Sequence, residues 1–358
     1  MMSAEGSYVK RSSRWKVILA ALVLALVLTL IVSLNIGYAS YISFSQILAI
    51  LGKQIPFLSG SINSASISPS DQAIILLIRF PRVLAAALVG AGLAAAGVIY
   101  QGVFRNPMAD SYLLGASAGA SVGYAIAILY VSTAFTIVGL GIAQAFAFMF
   151  ALLAVFLVLF VARVGNRIPV TNLLLTGLVF NIFFLALFSI MEVHAGHALS
   201  GLVGFTLGGF SDIVWLQVWA VFPFVIAGIA ITFFFTRDLN MLSMGDETAQ
   251  HLGVNTEKVR QMLLIIASLM TAACVAISGV IGFVGLIVPH MTRLAIGPDH
   301  RILLPASAIV GAMFLVICDA FTRVATGASE LPVGVITALV GTPVFIYLIR
   351  RRRTAYSL

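Results

Sequence analysis

The sequence predicts an all-α, polytopic membrane protein with about ten transmembrane helices. Hydrophobic residues make up 61% of the 358 residues and charged residues only 9%, a composition far from that of soluble globular proteins. Apolar runs of about 20 residues recur along the chain, which is the length that a helix needs to cross the hydrocarbon core. Lipid offers no partner for backbone polar groups, so each span is expected to be a helix.

The spans are predicted in chain order. The first covers residues 17–34, an apolar run longer than is usual in a signal peptide, which is the competing interpretation. Residues 35–72, rich in Ser, Gly and Asn, form a connection expected on the outer side. Nine further spans are predicted at 83–104, 111–131, 136–162, 171–191, 213–235, 259–278, 280–296, 302–319 and 333–349. The turn between the seventh and eighth depends only on Ser278-Gly279 and Pro289.

Basic residues are distributed unevenly over the connections. One side of the predicted spans holds 16 of the 20: Lys10, Arg11, Arg14, Lys16, Arg105, Arg163, Arg167, Arg237, Lys258, Arg260, Arg293, Arg301 and Arg350 to Arg353. The other side holds 4: Lys53, Arg79, Arg82 and Arg323. Because Lys and Arg favour cytoplasmic connections, this bias places both termini in the cytoplasm. The net charge of +8 therefore reflects topology and does not indicate nucleic-acid binding.

The chain is predicted to form a single membrane domain in the cytoplasmic membrane. Residues 17–350 hold the ten spans, between a cytoplasmic tail of residues 1–16 and a basic cytoplasmic tail of residues 351–358. The two cysteines, Cys274 and Cys318, lie in apolar runs and suggest neither a disulfide framework nor a metal site. No cofactor is predicted.

A polar island at residues 236–257 interrupts the apolar sequence and lies on the predicted cytoplasmic side. Within it, residues 246–252 favour a short helix that opens with Asp246 and Glu247, because acids suit the first turn of a helix. Gly253 supplies a plausible end. Such a helix has no lipid to pack against, so it either binds another protein or is an ordinary solvated connector.

Small residues crowd the second and third predicted spans and would let helices approach closely. Residues 115–119 also fit the pattern G-x-S-x-G, which would make Ser117 the nucleophile of a membrane hydrolase. That pattern requires a strand before the serine and a histidine facing it. Neither is predicted here, although His290 lies in the eighth span.

Other polar groups favour ordinary roles. His194 and His197 share an outer loop with Glu192, too few ligands for a predicted metal site. Asp319 and Arg323 have the spacing of a pair within one helix.

The sequence also limits the chemistry that the chain can carry out by itself. No phosphate-binding loop is present, since Lys53 lacks the flanking residues that one needs, and the chain is not expected to hydrolyse ATP. An ion-coupled secondary transporter is one function that a polytopic membrane protein could have. Ionisable residues are scarce within the spans, which counts against it.

Several motifs together resemble the FecCD-type permeases, the membrane subunits of ABC importers for ferric siderophores, haem and cobalamin. The resemblance begins near Ile74 and covers nearly all of the chain after it, with mild departures at Phe80, Met108 and Ser111. The matching stretches are Arg79-Phe-Pro-Arg82, residues 90–101, 105–110 and 114–115, 245–253, 278–290, Arg293, Asp299-His300-Arg301, Asp319, Arg323, and residues 330–334 through Gly341.

The resemblance implies a fold of ten helices and an assembly. Two permease subunits enclose a pore lined mainly by the fifth and tenth spans, two ATPases attach in the cytoplasm, and an external binding protein delivers the substrate. The island would be the element that couples to the ATPase, through Gly245, Asp246, Glu247, Ala249, Leu252 and Gly253. The cytoplasmic gate would lie at Asn106, Met108, Val170 and Thr171.

The outer arginines Arg79, Arg82 and Arg323 lie at span ends, where the positive-inside rule disfavours them. Snorkelling at the interface would explain them, and so would a pair between Arg323 and Asp319. The resemblance implies instead that they dock acidic residues of the binding protein, a role suited to the bidentate guanidinium.

Overall fold

The computed structural model describes residues 2–37, 42–54, 68–131, 136–137, 140–165, 167–325 and 330–356. Its helices are α1 (Met2–Asn35), α2 (Phe44–Lys53), α3 (Pro69–Ala73), α4 (Phe80–Val103), α5 (Ala116–Tyr130), α6 (Ile142–Ala162), α7 (Val170–Val193), α8 (Leu199–Leu207), α9 (Trp215–Phe234), α10 (Thr236–Leu242), α11 (Asp246–His251), α12 (Thr256–Ser278), α13 (Val284–Ile296), α14 (His300–Ala325) and α15 (Val333–Tyr356). A π-helical segment, Ile74–Arg79, joins α3 to α4 without a break, and a 3-10 turn, Gly196–Ala198, precedes α8.

Ten of these helices fit the predicted spans. Among the described residues, seven helical segments are long and apolar enough to cross a membrane: Ser13–Asn35, Pro69–Val103, Ile142–Ala162, Val170–Val193, Trp215–Phe234, Thr256–Ser278 and His300–Ala325. The shorter apolar helices α5, α13 and α15 complete the ten. The predicted all-α membrane fold is confirmed, and the chain is a multi-pass membrane protein.

Helix α4 lies at the centre of the bundle, packed against α9, α12, α13 and α14. Glycines make this possible. A side chain at Gly90 would collide with the backbone of Gly311 in α14, and one at Gly97 with the backbone of Gly285 in α13. The predicted close approach of small-residue faces is confirmed here, since the backbones themselves touch.

The structure differs from the predicted boundaries mainly at the ends of spans. Helix α1 begins at Met2 and α15 continues to Tyr356, so polar residues of both predicted tails extend membrane helices. The connection after α1, which is predicted to be external, contains α2, whose Ser43 and Gln46 form a capping box. Residues 38–41 and 55–67 of that connection lie outside the described part of the chain.

Span four begins at Ile142 rather than 136 because Thr136–Ile137 pairs with Leu140–Gly141 as a short antiparallel hairpin. Helix α8 is not among the predicted elements, because its nine residues are too short to span a membrane and give no separate hydropathy signal.

The chain between α4 and α5 makes a series of turns instead of continuing a helix. The predicted third span began at 111, whereas α5 begins at Ala116, after Gly115 in the left-handed conformation (φ 80°). The hydroxyl of Tyr112 donates to the carbonyl of Ile281 (2.9 Å) and accepts from its N–H (3.0 Å). This pairing satisfies the irregular backbone before α13, as a segment without helical hydrogen bonds requires.

Candidate coupling surface and outer ion cluster

The predicted short helix of the polar island is confirmed as α11, Asp246–His251. Gly245 precedes it with φ 118° and Gly253 follows it with φ 88°, conformations that residues with a Cβ rarely adopt. Asp246 and Glu247 occupy its first turn, where unpaired N–H groups favour negative charge. Two glycines therefore set the bounds of this helix.

One face of α11 is held against the bundle by an ion pair. Arg260 of α12 donates from Nη2 to both carboxylate oxygens of Asp246, at 2.9 and 2.8 Å, and Arg105 approaches the same carboxylate at 3.5 Å. Ala249, a residue of α11 itself, is fully buried. Helix α11 is thus connected to α12 and to the turn after α4.

The opposite face of the island is exposed. Glu247 lies at this surface. Leu252 is 57% exposed and Met244 is 67% exposed. Large apolar side chains beside an acid, on a polar connection, present a mixed surface of the kind that protein interfaces use.

The predicted gate residues lie on two segments, the start of α7 and the turn after α4. Val170 and Thr171 begin α7, after Pro169. The preceding Ile168 donates its N–H to Glu257 in the first turn of α12, at 2.9 Å. The start of α7 is therefore connected to the same helix that holds Asp246.

The other gate pair lies in the turn after α4. Arg105 adopts a positive φ of 50°, uncommon for a residue with a side chain. Asn106 then accepts the N–H of Met108 through its side-chain oxygen, at 3.0 Å. Asn181 of α7 approaches the carbonyl of Tyr112 in the same connection, at 3.4 Å. The connection that contains Asn106 and Met108 thus contacts α7 through Tyr112, and the residue before the start of α7 contacts α12.

The three arginines that are predicted to lie on the outer side are buried within the folded protein. Arg79, Arg82 and Arg323 are only 5%, 6% and 4% exposed. Arg82 bridges two acids, with Nε 2.9 Å from Asp319 and Nη1 2.9 Å from Glu330. Asp319 is completely buried and also pairs with Arg323 at 3.3 Å. The predicted pair within the ninth span is confirmed.

Two of these arginines also close the end of α1. Arg79 donates to the carbonyl of Leu34 at 3.0 Å, and Arg323 donates to those of Ser33 (3.0 Å) and Ile36 (2.7 Å). The last carbonyls of a helix lack partners within it and carry partial negative charge, so cations stabilise them. Helix α1 has no basic residue in its own last turn. Arg323 of α14 and Arg79 of the π-helical segment provide the positive charge at this helix end instead.

Sequence reasoning missed Arg260, Glu330 and Ser33 as partners in these clusters. Ser33 accepts from Arg323 at 2.6 Å. Glu330 accepts from Ser211 at 3.1 Å in addition to Arg82. Arg82 and Asp319 are 237 positions apart, and no periodic pattern in the sequence predicts a contact between residues so far apart. A buried-charge argument could have pointed to it, because ionisable residues within the membrane pair with one another or with backbone carbonyls.

The catalytic alternative receives no support from the fold around Ser117. This serine lies in the first turn of α5, which follows turns rather than a strand. Its carbonyl accepts the hydroxyl of Ser121, an ordinary contact within a helix. The strand–turn–helix context that a nucleophilic serine of this pattern needs is absent from this described segment.

Comparisons with known proteins agree on one family. The profile of the FecCD transport family matches residues 18–351. The chain is 43% identical over 281 residues to the cobalamin import system permease protein BtuC of Halobacterium salinarum, covering 78% of this chain and 74% of that protein. It is 36% identical to the hemin transport system permease protein HmuU of Yersinia pestis, covering 79% and 84%. A solved structure described as an inward-facing conformation of a putative metal-chelate type ABC transporter matches with a TM-score of 0.78 at 30% identity, covering 93% of this chain and 99% of that one.

Proposed function

The chain belongs to the FecCD transport family, as a permease subunit of an ABC importer, and from that membership we propose that it carries a metal chelate into the cell. Its substrate class is a ferric siderophore, haem or cobalamin. The observation that carries this proposal is the match over residues 18–351 together with relatives named for cobalamin and hemin. An ion-coupled secondary transporter is no longer a competing function.

We further propose that the exposed face of α11 receives the ATPase subunit. Its inner face is connected to α12 through the pair between Arg260 and Asp246. A displacement of Glu247 and Leu252 by the ATPase would therefore be transmitted to the helix bundle. Such rigid-body transmission suits rocking of the two permease halves between outward-open and inward-open states. The gate at Asn106, Met108, Val170 and Thr171 lies on segments connected to the same helices.

The proposed assembly contains a second permease subunit (another copy or a related chain), two ABC ATPases in the cytoplasm and an external binding protein, all in a lipid bilayer. Both termini and residues 236–257 face the cytoplasm. Arg79, Arg82 and Arg323 remain the proposed docking residues, but their burial restricts them to an indirect part, holding the outer ends of α1, α4 and α14 in place for the partner.

Reconstitution tests the function directly. The chain would be placed in proteoliposomes with its ATPase and binding protein, and uptake of cobalamin, haem and a ferric siderophore would be measured with and without ATP. We expect ATP-dependent uptake of one chelate and none with an ATPase that binds but cannot hydrolyse ATP. Uptake driven by an ion gradient without ATP would contradict the proposal.

Cysteine labelling tests the orientation. Both native cysteines are buried, so background labelling should be low. Met244→Cys in the island and Val193→Cys at the last residue of α7, which is proposed to lie on the opposite side of the membrane, form a matched pair of exposed sites. We expect a membrane-impermeant maleimide to label the second from outside and the first only after the membrane is opened. The reverse pattern would invert the topology.

A further inference from the structure

Helix α2, in the connection after α1, carries more apolar surface than it buries against the bundle. Ile47 and Ile50 are fully buried, in the same core cluster as Leu34 near the end of α1. Phe44 and Leu48 are 51% and 45% exposed. Because residues four apart share one face of a helix, these two side chains form a continuous edge. The apolar side of α2 is therefore wider than its contact with the protein, and this edge is uncovered.

The polar residues of α2 lie on the other side of the helix. Gln46 and Lys53, seven positions apart, share the side opposite Phe44. A helix of ten residues is marginal in water, so α2 depends on its surroundings for stability. A helix with one polar and one apolar side, part of which is uncovered, suits the boundary between water and hydrocarbon.

The start of α2 is connected to the end of a membrane span. The amide nitrogen of Asn35, the last residue of α1, donates to the carbonyl of Ile42 at 2.9 Å. Phe44 follows two residues later, a distance of at most about 7 Å along the chain. Few residues of the span in α1 are buried, and Val32 near its end is 55% exposed. Helix α2 therefore begins where a lipid-facing helix leaves the hydrocarbon.

We propose that α2 lies in the bilayer surface at the end of α1, with Phe44 and Leu48 inserted between the headgroups and the acyl chains of phospholipids. Their exposed edge continues the lipid-facing surface of α1, while Ile47 and Ile50 hold the helix to the bundle. The proposal depends neither on which side of the membrane this surface belongs to nor on the substrate. It therefore stands apart from the proposed function.

This anchor has a consequence for the ion cluster around Arg82. Helix α2 packs beside the end of α1, and the carbonyls at that end accept hydrogen bonds from Arg79 and Arg323. A helix that contacts lipid on one edge and the bundle on the other holds the end of α1 at the level of the membrane surface. The lipid contact of α2 thus helps to fix the position of the buried arginines relative to the bilayer.

Spin labels on α2 test the proposal in proteoliposomes that contain the full chain. Both native cysteines are buried, so single labels can be attached to Phe44→Cys, Leu48→Cys and, as the control, Ser45→Cys, whose native side chain is also exposed. Oxygen concentrates in the hydrocarbon, whereas a nickel chelate stays in water. We expect the ratio of oxygen to nickel collisions to be severalfold higher at positions 44 and 48 than at position 45.

Two results of this measurement would overturn the proposal. Nickel collisions at positions 44 and 48 as frequent as at position 45 would show that the edge faces water. Exclusion of both reagents from positions 44 and 48 would show that protein covers the edge, either a second copy of the chain or another subunit. Leu28→Cys, at a residue of α1 that is 54% exposed within the span, supplies the reference for contact with lipid.

Variants test whether lipid stabilises the helix. Phe44→Ser combined with Leu48→Ser removes the apolar edge, and we expect amide exchange in α2 to become severalfold faster in nanodiscs. The exchanged pair, Phe44→Leu with Leu48→Phe, keeps the edge apolar and should retain the original rate, as should Ser45→Ala. Unchanged exchange in the serine variant would overturn the proposal. If that variant does not accumulate in the membrane, the spin labels decide by themselves.

Discussion

The ion cluster around Arg82 and the polar island were both predicted to be protein-docking surfaces, but the structure buries the first and exposes part of the second. Where the end of α1, the start of α4 and the end of α14 meet, every predicted arginine is buried against acids or carbonyls of its own chain. On the island, Asp246 pairs inward while Glu247 and Leu252 face outward. Charge at a span end therefore does not distinguish a surface from an interior. What distinguishes them is whether the charged side chain has a partner within its own chain.

Charge reversal at the outer arginines should produce the largest effect. Arg79→Glu with Arg82→Glu places two acids among Asp319, Glu330 and the carbonyls at the end of α1, where like charges meet in a buried site. We expect most of the folded protein to be lost from the membrane, measured as abundance and as monodisperse protein after extraction. Lys53→Glu, on the same side, should leave both unchanged.

A second substitution that restores the Arg82→Glu variant decides whether Arg82 acts within its own chain or in docking the binding protein. If Arg82 acts inside the chain, Arg82→Glu should be partly restored by Asp319→Arg, which recreates opposite charges. If it docks the binding protein, Arg82→Glu would keep its abundance, and an acid-to-base reversal on the partner would restore uptake. Rescue by the partner alone would break the contrast between the two regions.

Removing the buried acid should have the next largest effect. Asp319→Asn leaves Arg323 without a carboxylate and Arg82 with Glu330 only, and breaking a buried pair in this way costs about 3–5 kcal/mol. We expect a clear fall in the midpoint of thermal unfolding in nanodiscs. Asp212→Asn, an exposed outer acid, is the matched control and should shift the midpoint little. Equal shifts would mean that the cluster contributes nothing special.

The extent to which sequence determined these outcomes differs between fold and site. Spans, orientation bias and the glycine-bounded helix at 246–251 are local patterns, so they were predictable. The partners of Arg82 and the carbonyls under Arg79 and Arg323 lie far away in sequence, and only the folded bundle brings them together. Helix α8 and the late start of α5 were missed because short helices and turns within the membrane have no hydropathy signal.

On the island, the inward pair should matter locally rather than globally. Arg260→Gln removes two charged hydrogen bonds from Asp246, which is itself 38% exposed, so water screens part of the loss and about 1 kcal/mol is expected. Amide exchange in α11 should speed up severalfold while the unfolding midpoint hardly moves. Arg237→Gln serves as control. A large fall in the midpoint would show that the island, too, belongs to the structural core.

The end of α11 provides a test in which only backbone strain changes. Gly253 has φ 88° and nothing near its missing Cβ, so Gly253→Val fits in space but is strained in conformation by about 1–2 kcal/mol. Gly253→Asn tolerates this conformation far better. We expect valine, and not asparagine, to lower transport and its coupling to ATP hydrolysis at normal abundance. If both variants transport normally, the shape of this turn is irrelevant to coupling.

The smallest effect on the chain itself should come from Glu247→Lys. Glu247 is exposed in the first turn of α11, so the substitution removes only a modest interaction with the helix N-terminus and should change stability by no more than about 0.5 kcal/mol. If this face receives the ATPase, the same change reverses a charge in the contact and should lower both transport and stimulated ATP hydrolysis. Glu247→Gln removes the charge without reversing it. Its transport and stimulated ATP hydrolysis should therefore lie between those of the unsubstituted chain and those of Glu247→Lys. Unchanged transport and ATPase stimulation in Glu247→Lys would leave α11 as a solvated connector, and the exposure that separates the island from the outer cluster would then have no functional meaning.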